Sequence, residues 1–134
     1  MSVAVAHQVS PTGRIALREG GREAALRKTD LAVLHVVETL DLDIAASYRS
    51  GVSDEVEKVL AEAGLSDLKW DLHLGTGREH VAETVLKLAS DVNAELLVIG
   101  ARRRSPVGKF LLGSVTQTII LDANMPVVVV KPTA

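Results

Sequence analysis

The most informative segment of the chain is residues 96–116, which read LLVIGARRRSPVGKFLLGSVT. A short apolar run opens the segment, as in a strand buried on both faces, and Gly100 ends it. A basic loop follows, and Gly113-Ser114 then precedes the apolar residues of a predicted helix. Free backbone N–H groups and a hydroxyl at a helix start suit a phosphate group. The segment therefore predicts a strand, an anion-binding loop and a helix in succession.

The alternation of strand and helix extends along the rest of the chain. Further apolar or alternating runs predict strands at 3–9, 31–37, 68–74 and 126–130. Helical periodicity lies between the strands, at 14–27, 53–63, 81–92 and 115–123. This order over five strands predicts an α/β fold, an open parallel sheet with helices on both faces. Ligands of such sheets bind at the carboxyl ends of the strands.

Local signals predict where two of the helices begin. Ser53 precedes Asp54-Glu55 and predicts an N-cap followed by an acidic first turn. Thr76 and Glu79 have the spacing of a capping box, which predicts a helix start before Val81. Residues 39–52 carry no clear signal.

Length and composition narrow the function classes. A chain of 134 residues fits one domain, which we expect to span 1–134. The net charge of −2 gives no electrostatic case for nucleic acid or an anionic membrane as partner. The chain has no cysteine, which excludes thiolate catalysis and cysteine metal sites. No run of 18 apolar residues and no leader-like N-terminus occur, so we expect a cytoplasmic protein.

On these residues the chain resembles the universal stress protein family. The family loop after the fourth strand reads Gly-x2-Gly-x9-Gly-Ser/Thr, and Gly100 with Gly113-Ser114 matches its spacing. Other segments match the family's strands and first loop, at 3–6, 10–11, 34–37 and 126–130. The resemblance implies a Rossmann-like sheet of the adenine-nucleotide-binding type, in the strand order 3-2-1-4-5. It also implies a homodimer that pairs through the last strand, at Val127, Val128, Val129 and Val130.

The resemblance further implies a site for ATP with Mg²⁺. Ribose and phosphates would contact the loop and the helix after it, at Gly100, Gly113, Ser114, Val115 and Thr116. The basic residues Arg102, Arg103 and Lys109 would compensate the charge of the phosphates. The adenine would lie between the ends of the first two strands, near Gln8, Val36 and Val37.

Three positions depart from the pattern of the ATP-binding members. Arg103 replaces the middle glycine of the loop, Gln8 stands where those members carry Asp, and Val9 stands where they carry Gly. These departures leave two functions open. One is a stress-response regulator that binds ATP, and the other is a nucleotide-independent dimeric interaction module with a degenerate ATP site.

The residue pattern predicts no enzyme active site and no metal centre. No serine lies in a Gly-x-Ser-x-Gly motif, and no general base stands beside the loop, so slow ATP hydrolysis is the third and weakest alternative. His7, His35 and His73 would lie on neighbouring strands, but no carboxylate completes a metal-ligand spacing. We expect these histidines to be buried or half-buried and hydrogen-bonded to the backbone.

Overall fold

The computed structural model describes residues 1–8, 10–39, 41–77, 79–101, 103–104 and 110–131, with the backbone alone at 103–104 and 110–111. The described strands are β1 (Ser2–Ala6), β2 (Asp30–Val37), β3 (Trp70–Thr76), β4 (Ala94–Gly100), β5 (Arg103–Arg104), β6 (Phe110–Leu111) and β7 (Val127–Val130). The described helices are α1 (Pro11–Leu26), α2 (Leu42–Ser47), α3 (Arg49–Glu62), α4 (Val81–Asp91) and α5 (Ser114–Asp122).

The central sheet has the order β3-β2-β1-β4-β7, and all of its pairings are parallel. This confirms the predicted order 3-2-1-4-5, because β7 is the fifth strand of that sheet. The two extra strands, β5 and β6, form a short antiparallel pair inside the loop after β4. From β1 to β3 each new strand is added on one side of the sheet, whereas β4 and β7 are added on the other side of β1. The loops after β1 and β4 therefore lead in opposite directions and leave a crevice between them.

Two hydrophobic layers cover the sheet, one on each face. Val3 and Val5 of β1 pack with Leu17 of α1 and Val56 of α3. The alternate residue Ala4 packs on the other face, in a cluster that contains Ile119 of α5 and residues of α4. Successive side chains of a strand point to opposite faces, so a strand covered on both sides must be apolar throughout. This is why β1 and β2 appear in the sequence as continuous apolar runs.

The edge strand β3 carries the lone tryptophan of the chain. Trp70 stands opposite Leu31 in the β2–β3 register and packs, half-buried, against the cluster under α1 and α3. The position of β3 at an edge agrees with its alternating sequence, in which Asp71 is exposed and Leu72 is buried.

Both predicted helix caps were wrong, although α4 begins at Val81, as the predicted helix 81–92 does. α3 begins at Arg49 rather than after Ser53, because the buried stripe of the helix already includes Val52. Thr76 belongs to β3, where it pairs with Val37, and α4 begins only after His80, which makes no side-chain cap. The hydrogen bonds and side-chain contacts that Thr76 makes in β3 outweigh a local capping preference, since such preferences are weak compared with packing.

None of the helices in the described residues is both long and apolar enough to span a bilayer.

Candidate functional site

A cavity of about 330 Å³ opens at the carboxyl ends of β1, β2 and β4. Its walls are mostly apolar and include Val36 of β2, Val85 of α4 and Val115 of α5. Gln8, directly after β1, and Glu38, directly after β2, supply polar groups at the strand ends. The cavity lies where the direction of the chain connections reverses, which is the usual ligand position in a sheet of this kind.

A larger groove of about 880 Å³ lies on the face of the sheet that α1 and α3 cover. Arg14, Tyr48, Val52, Glu55 and Lys58 line it. The groove lies between helices rather than at the strand ends, and none of the residues expected to bind nucleotide lines it. We therefore take the smaller cavity as the candidate site, because position at the switch of strand order outweighs volume.

The structure brings together part of the sequence-predicted nucleotide set. Gln8, Val36 and Val115 line the cavity. Val37 is buried beside it, and its carbonyl accepts hydrogen bonds from the backbone of Thr39 and Gly77. Arg102 and Lys109 lie outside the described residues, as does the side chain of Arg103.

The first turn of α5 has the arrangement of an anion site. Gly113 is the N-cap residue in an extended conformation and makes no side-chain cap hydrogen bond. The N–H groups at a helix start have no partners within the helix, so they are available to a ligand. Ser114 is exposed there, and the Thr116 hydroxyl donates to the carbonyl of Gly100 at 3.5 Å. This contact places the start of α5 at the carboxyl end of β4, but the residues that line the cavity do not include Gly100, Gly113, Ser114 or Thr116.

Close packing at the start of α1 holds the loop after β1 in place. The Ser10 hydroxyl accepts a hydrogen bond from the Gly13 backbone N–H at 2.9 Å and so caps α1. A Cβ atom at Gly13 would overlap the carbonyl oxygen of Gln8, and one at Gly100 would lie 2.7 Å from Cγ2 of Thr12. The start of α1 therefore packs tightly against both strands that border the crevice, which fixes the position of Gln8.

A buried cluster of titratable groups lies beneath the same strand ends. His7 Nδ1 is 3.0 Å from His35 Nδ1, and His7 Nε2 is 2.8 Å from Glu55 Oε2. Arg14 Nη1 lies 3.6 Å from the other oxygen of Glu55. A carboxylate only accepts, so His7 donates through Nε2–H, and its Nδ1 accepts from Nδ1–H of His35. The expectation that these histidines bond to the backbone was wrong for His7, whose ring nitrogens contact His35 and Glu55, whereas His35 has a backbone hydrogen bond with His7.

Burial sets the protonation of the pair. The side chain of His7 is 0% exposed, and burial lowers its pKa, although the charge and hydrogen bond of Glu55 oppose the shift. Burial also lowers the pKa of His35, and His7 lowers it further. Both rings are therefore neutral at pH 7. Sequence reasoning missed the cluster, because Glu55 is far from both histidines along the chain and only the packing of α3 brings it to them.

No group of three or more histidine, aspartate or glutamate side chains within the described ranges could hold a metal ion. His73 stands opposite Leu34 in the β2–β3 register, so its side chain points away from the face that carries the ring of His35.

The opposite edge of the sheet is formed by β7. Within the part of the chain that the structure describes, β7 pairs with β4 and with no other strand. Its residues Val127 to Val130 are partly exposed, and Val128 is 36% exposed. Ile120 and Leu121 of α5, close to β7 in the chain, are also exposed apolar residues.

Three comparisons relate the chain to known proteins. The model of the universal stress protein family matches residues 1–131. A universal stress protein of Mycolicibacterium smegmatis is 37% identical over 130 residues, which are 97% of each chain. The structure of a universal stress protein from Archaeoglobus fulgidus in complex with dAMP superposes with a TM-score of 0.74, at 26% identity over 96% of each chain. A universal stress protein in complex with cAMP gives the same TM-score at 20% identity over 98% of each chain, a likeness of fold alone.

Proposed function

The chain belongs to the universal stress protein family, and from this premise we propose that it is a stress-response regulatory protein that binds ATP. The observation that carries the proposal is the cavity at the strand ends, which opens beside the uncapped first turn of α5. An apolar cavity next to free backbone N–H groups suits a ligand with an apolar ring and an anionic tail. The relative from Archaeoglobus fulgidus, whose structure holds dAMP, supports the choice of an adenine nucleotide.

In this proposal the two ends of the nucleotide contact different elements. The adenine occupies the cavity near Gln8, Val36 and Val37, at the ends of β1 and β2. The phosphates lie at the end of β4 and the start of α5, against Gly100, Gly113, Ser114, Val115 and Thr116. Arg102 and Arg103 add positive charge, and Mg²⁺ accompanies the phosphates. The protein acts in the cytoplasm by binding, without turnover of a substrate.

The homodimer expected from the sequence is part of the same proposal. A strand edge with four valines and neighbouring exposed leucine and isoleucine side chains favours pairing with a second copy of the edge. Val127, Val128, Val129 and Val130 are the residues that would meet across the two-fold axis.

Titration calorimetry of the nucleotide-stripped protein with ATP and Mg²⁺ tests the nucleotide site. We expect saturable binding near one site per chain, and loss of binding in the double variant Gly113→Val, Ser114→Ala, because the bulky valine and the lost hydroxyl disrupt the phosphate end. The matched control is Ser90→Ala, at an exposed serine near the C-terminal end of α4. Absence of heat and of a thermal-shift response in the wild type would overturn the ATP-binding function, and phosphate release above background would overturn the absence of turnover.

The second candidate is a nucleotide-independent dimeric interaction module. One observation favours it: the backbone of Arg103, at the position of the middle loop glycine, pairs with Leu111 in the β5–β6 ladder. A residue that is hydrogen-bonded in a strand pair has fewer backbone conformations available for contacting a phosphate than a loop glycine has. Failure of the wild type to bind any nucleotide, together with retained dimerisation, is the result expected for this candidate.

A further inference from the structure

Glu38 is a carboxylate at the rim of the candidate cavity that has no partner among the described residues. It follows β2 directly, it is exposed, and it lines the cavity. Its side chain makes no hydrogen bond and no ion pair with the residues that the structure describes. Among the described residues lining the cavity, it is the single carboxylate. Within the described part of the chain, no other group uses its charge, and the carboxylate faces the cavity.

The position of Glu38 in the sheet determines which end of a ligand it meets. β1 separates β2 from β4, and neighbouring strands lie about 4.8 Å apart, so the ends of β2 and β4 are about 10 Å apart. The proposed phosphate position is at the end of β4 and the start of α5. The carboxylate of Glu38, at the end of β2, is therefore too far from the phosphates to contact them. It lies close to the edge of the nucleobase that points away from the phosphates.

Gln8 and Glu38, two of the polar residues that line the cavity at the ends of β1 and β2, differ in their chemistry. A carboxylate has acceptor oxygens and no donor, whereas the amide of Gln8 carries both a donor and an acceptor. Gln8 therefore accommodates an amino group or a carbonyl oxygen equally. Glu38 attracts a base that presents an amino group and repels one that presents a carbonyl oxygen at the same place.

We propose that Glu38 is the base-selecting residue of the nucleotide site, whose carboxylate accepts a hydrogen bond from the exocyclic amino group of adenine. This inference rests on the proposed function, because it assigns a role within the same site. The site then prefers adenine to hypoxanthine, which has a carbonyl oxygen in place of the amino group.

The test compares ATP with ITP, each with Mg²⁺, by titration calorimetry on the nucleotide-stripped full chain. We expect the wild type to bind ATP about tenfold more tightly than ITP, the scale of one hydrogen bond to a charged group. In Glu38→Gln the ratio should fall to near one, because an amide both donates and accepts. The ratio is used because loss of the negative charge alters the affinity for both triphosphates alike.

The matched control is Glu57→Gln, an exposed carboxylate on α3, which should keep the wild-type ratio. An unchanged ATP-to-ITP ratio in Glu38→Gln, with both nucleotides bound, would overturn the inference while leaving the proposed function intact. The inference would also be overturned if Glu38→Gln instead removed discrimination against 2′-deoxy-ATP or 3′-deoxy-ATP. The carboxylate would then contact the ribose hydroxyls rather than the base. Absence of any nucleotide binding by the wild type would overturn both proposals.

Discussion

His7 and His35 stand next to the residues proposed to hold the adenine, since Gln8 follows the first and Val36 follows the second. His7, His35 and Val36 all line the cavity, and the side chain of His35 is directed to the face covered by α1 and α3. There the two rings and Glu55 link the ends of β1 and β2 to α3. Protonation of either ring would place a positive charge in this buried cluster, so its contribution to stability depends on pH.

We expect the stability of the protein to fall as the pH drops below about 6.5. Burial lowers the pKa of His7 and of His35 from the ordinary value of 6.5, so the unfolded chain binds more protons below that value. The contribution is complete above pH 6.5 and is lost as the pH falls toward the lowered pKa values. Urea unfolding between pH 8 and pH 5 measures it.

In that experiment His35→Gln should flatten the pH dependence, because it removes one of the two shifted groups. His80→Gln is the control, since its ring is exposed at the start of α4 and should leave the profile unchanged. Equal profiles for the two variants would contradict the assignment of the pH dependence to the buried pair.

Glu55→Ala should lower the free energy of unfolding by about 1–3 kcal/mol at pH 7, because it leaves the buried Nε2–H of His7 without its acceptor. The neighbouring exposed carboxylate of Glu57 provides the control, and Glu57→Ala should change stability by less than about 0.5 kcal/mol. A loss in Glu55→Ala no larger than in the control would show that the hydrogen bond adds nothing.

At the scale of elements, α1 and α3 each contain a glycine in their first turn, but in different surroundings. Gly13 has no room for a side chain, because a Cβ atom would overlap the carbonyl oxygen of Gln8. Gly51 has no atom within 4 Å of the position of a Cβ atom. The two residues therefore form a matched pair for the same substitution.

We expect Gly13→Ala to destabilise the protein by about 1–3 kcal/mol, since a backbone carbonyl must move to admit the methyl group. Gly51→Ala should instead stabilise it by about 0.5–1 kcal/mol, because alanine favours the helix and meets nothing. Urea unfolding at one pH compares the two variants with the wild type. A stability gain in Gly13→Ala would contradict the close packing of α1 on the loop after β1.

The elements differed in how well the sequence predicted them. The continuous run 31–37 predicted β2, found at 30–37, because a strand covered on both faces leaves an unbroken apolar signal. The predicted start of α3 and the predicted capping box before α4 were wrong, because the burial of Val52 and the pairing of Thr76 with Val37 depend on contacts between distant segments. The same reason explains how much of the candidate site could be predicted. Gln8 and Val115 lie beside motifs that are visible in the sequence, whereas nothing in the sequence indicates that Glu55 contacts His7.

At the scale of the whole molecule, the two edges of the sheet have opposite character. β3 carries Asp71 and His73 at its edge, and charged or polar side chains oppose pairing with another strand. β7 is apolar along its length and has exposed apolar neighbours in α5. Of the two edges, β7 is therefore the one suited to a second copy of the chain.

Val128→Lys should convert the expected dimer into monomers, because a lysine at the centre of β7 would place two like charges at the two-fold axis. Sedimentation velocity measures the change. Leu26→Lys is the control: Leu26 is 77% exposed at the end of α1, so the same substitution there should leave the dimer intact. A dimer that persists in Val128→Lys would exclude β7 as the interface.

The position of Trp70 determines what intrinsic fluorescence reports for this protein. Its indole lies on the edge strand β3 and packs against the layer under α1 and α3, and it is not among the described residues that line the candidate cavity. Emission from the single tryptophan should therefore follow global unfolding closely and stay nearly constant when a nucleotide enters the cavity. A fluorescence titration without a quench would then be uninformative about binding, and an optical assay needs a reporter near the cavity, for example a tryptophan introduced at Val81.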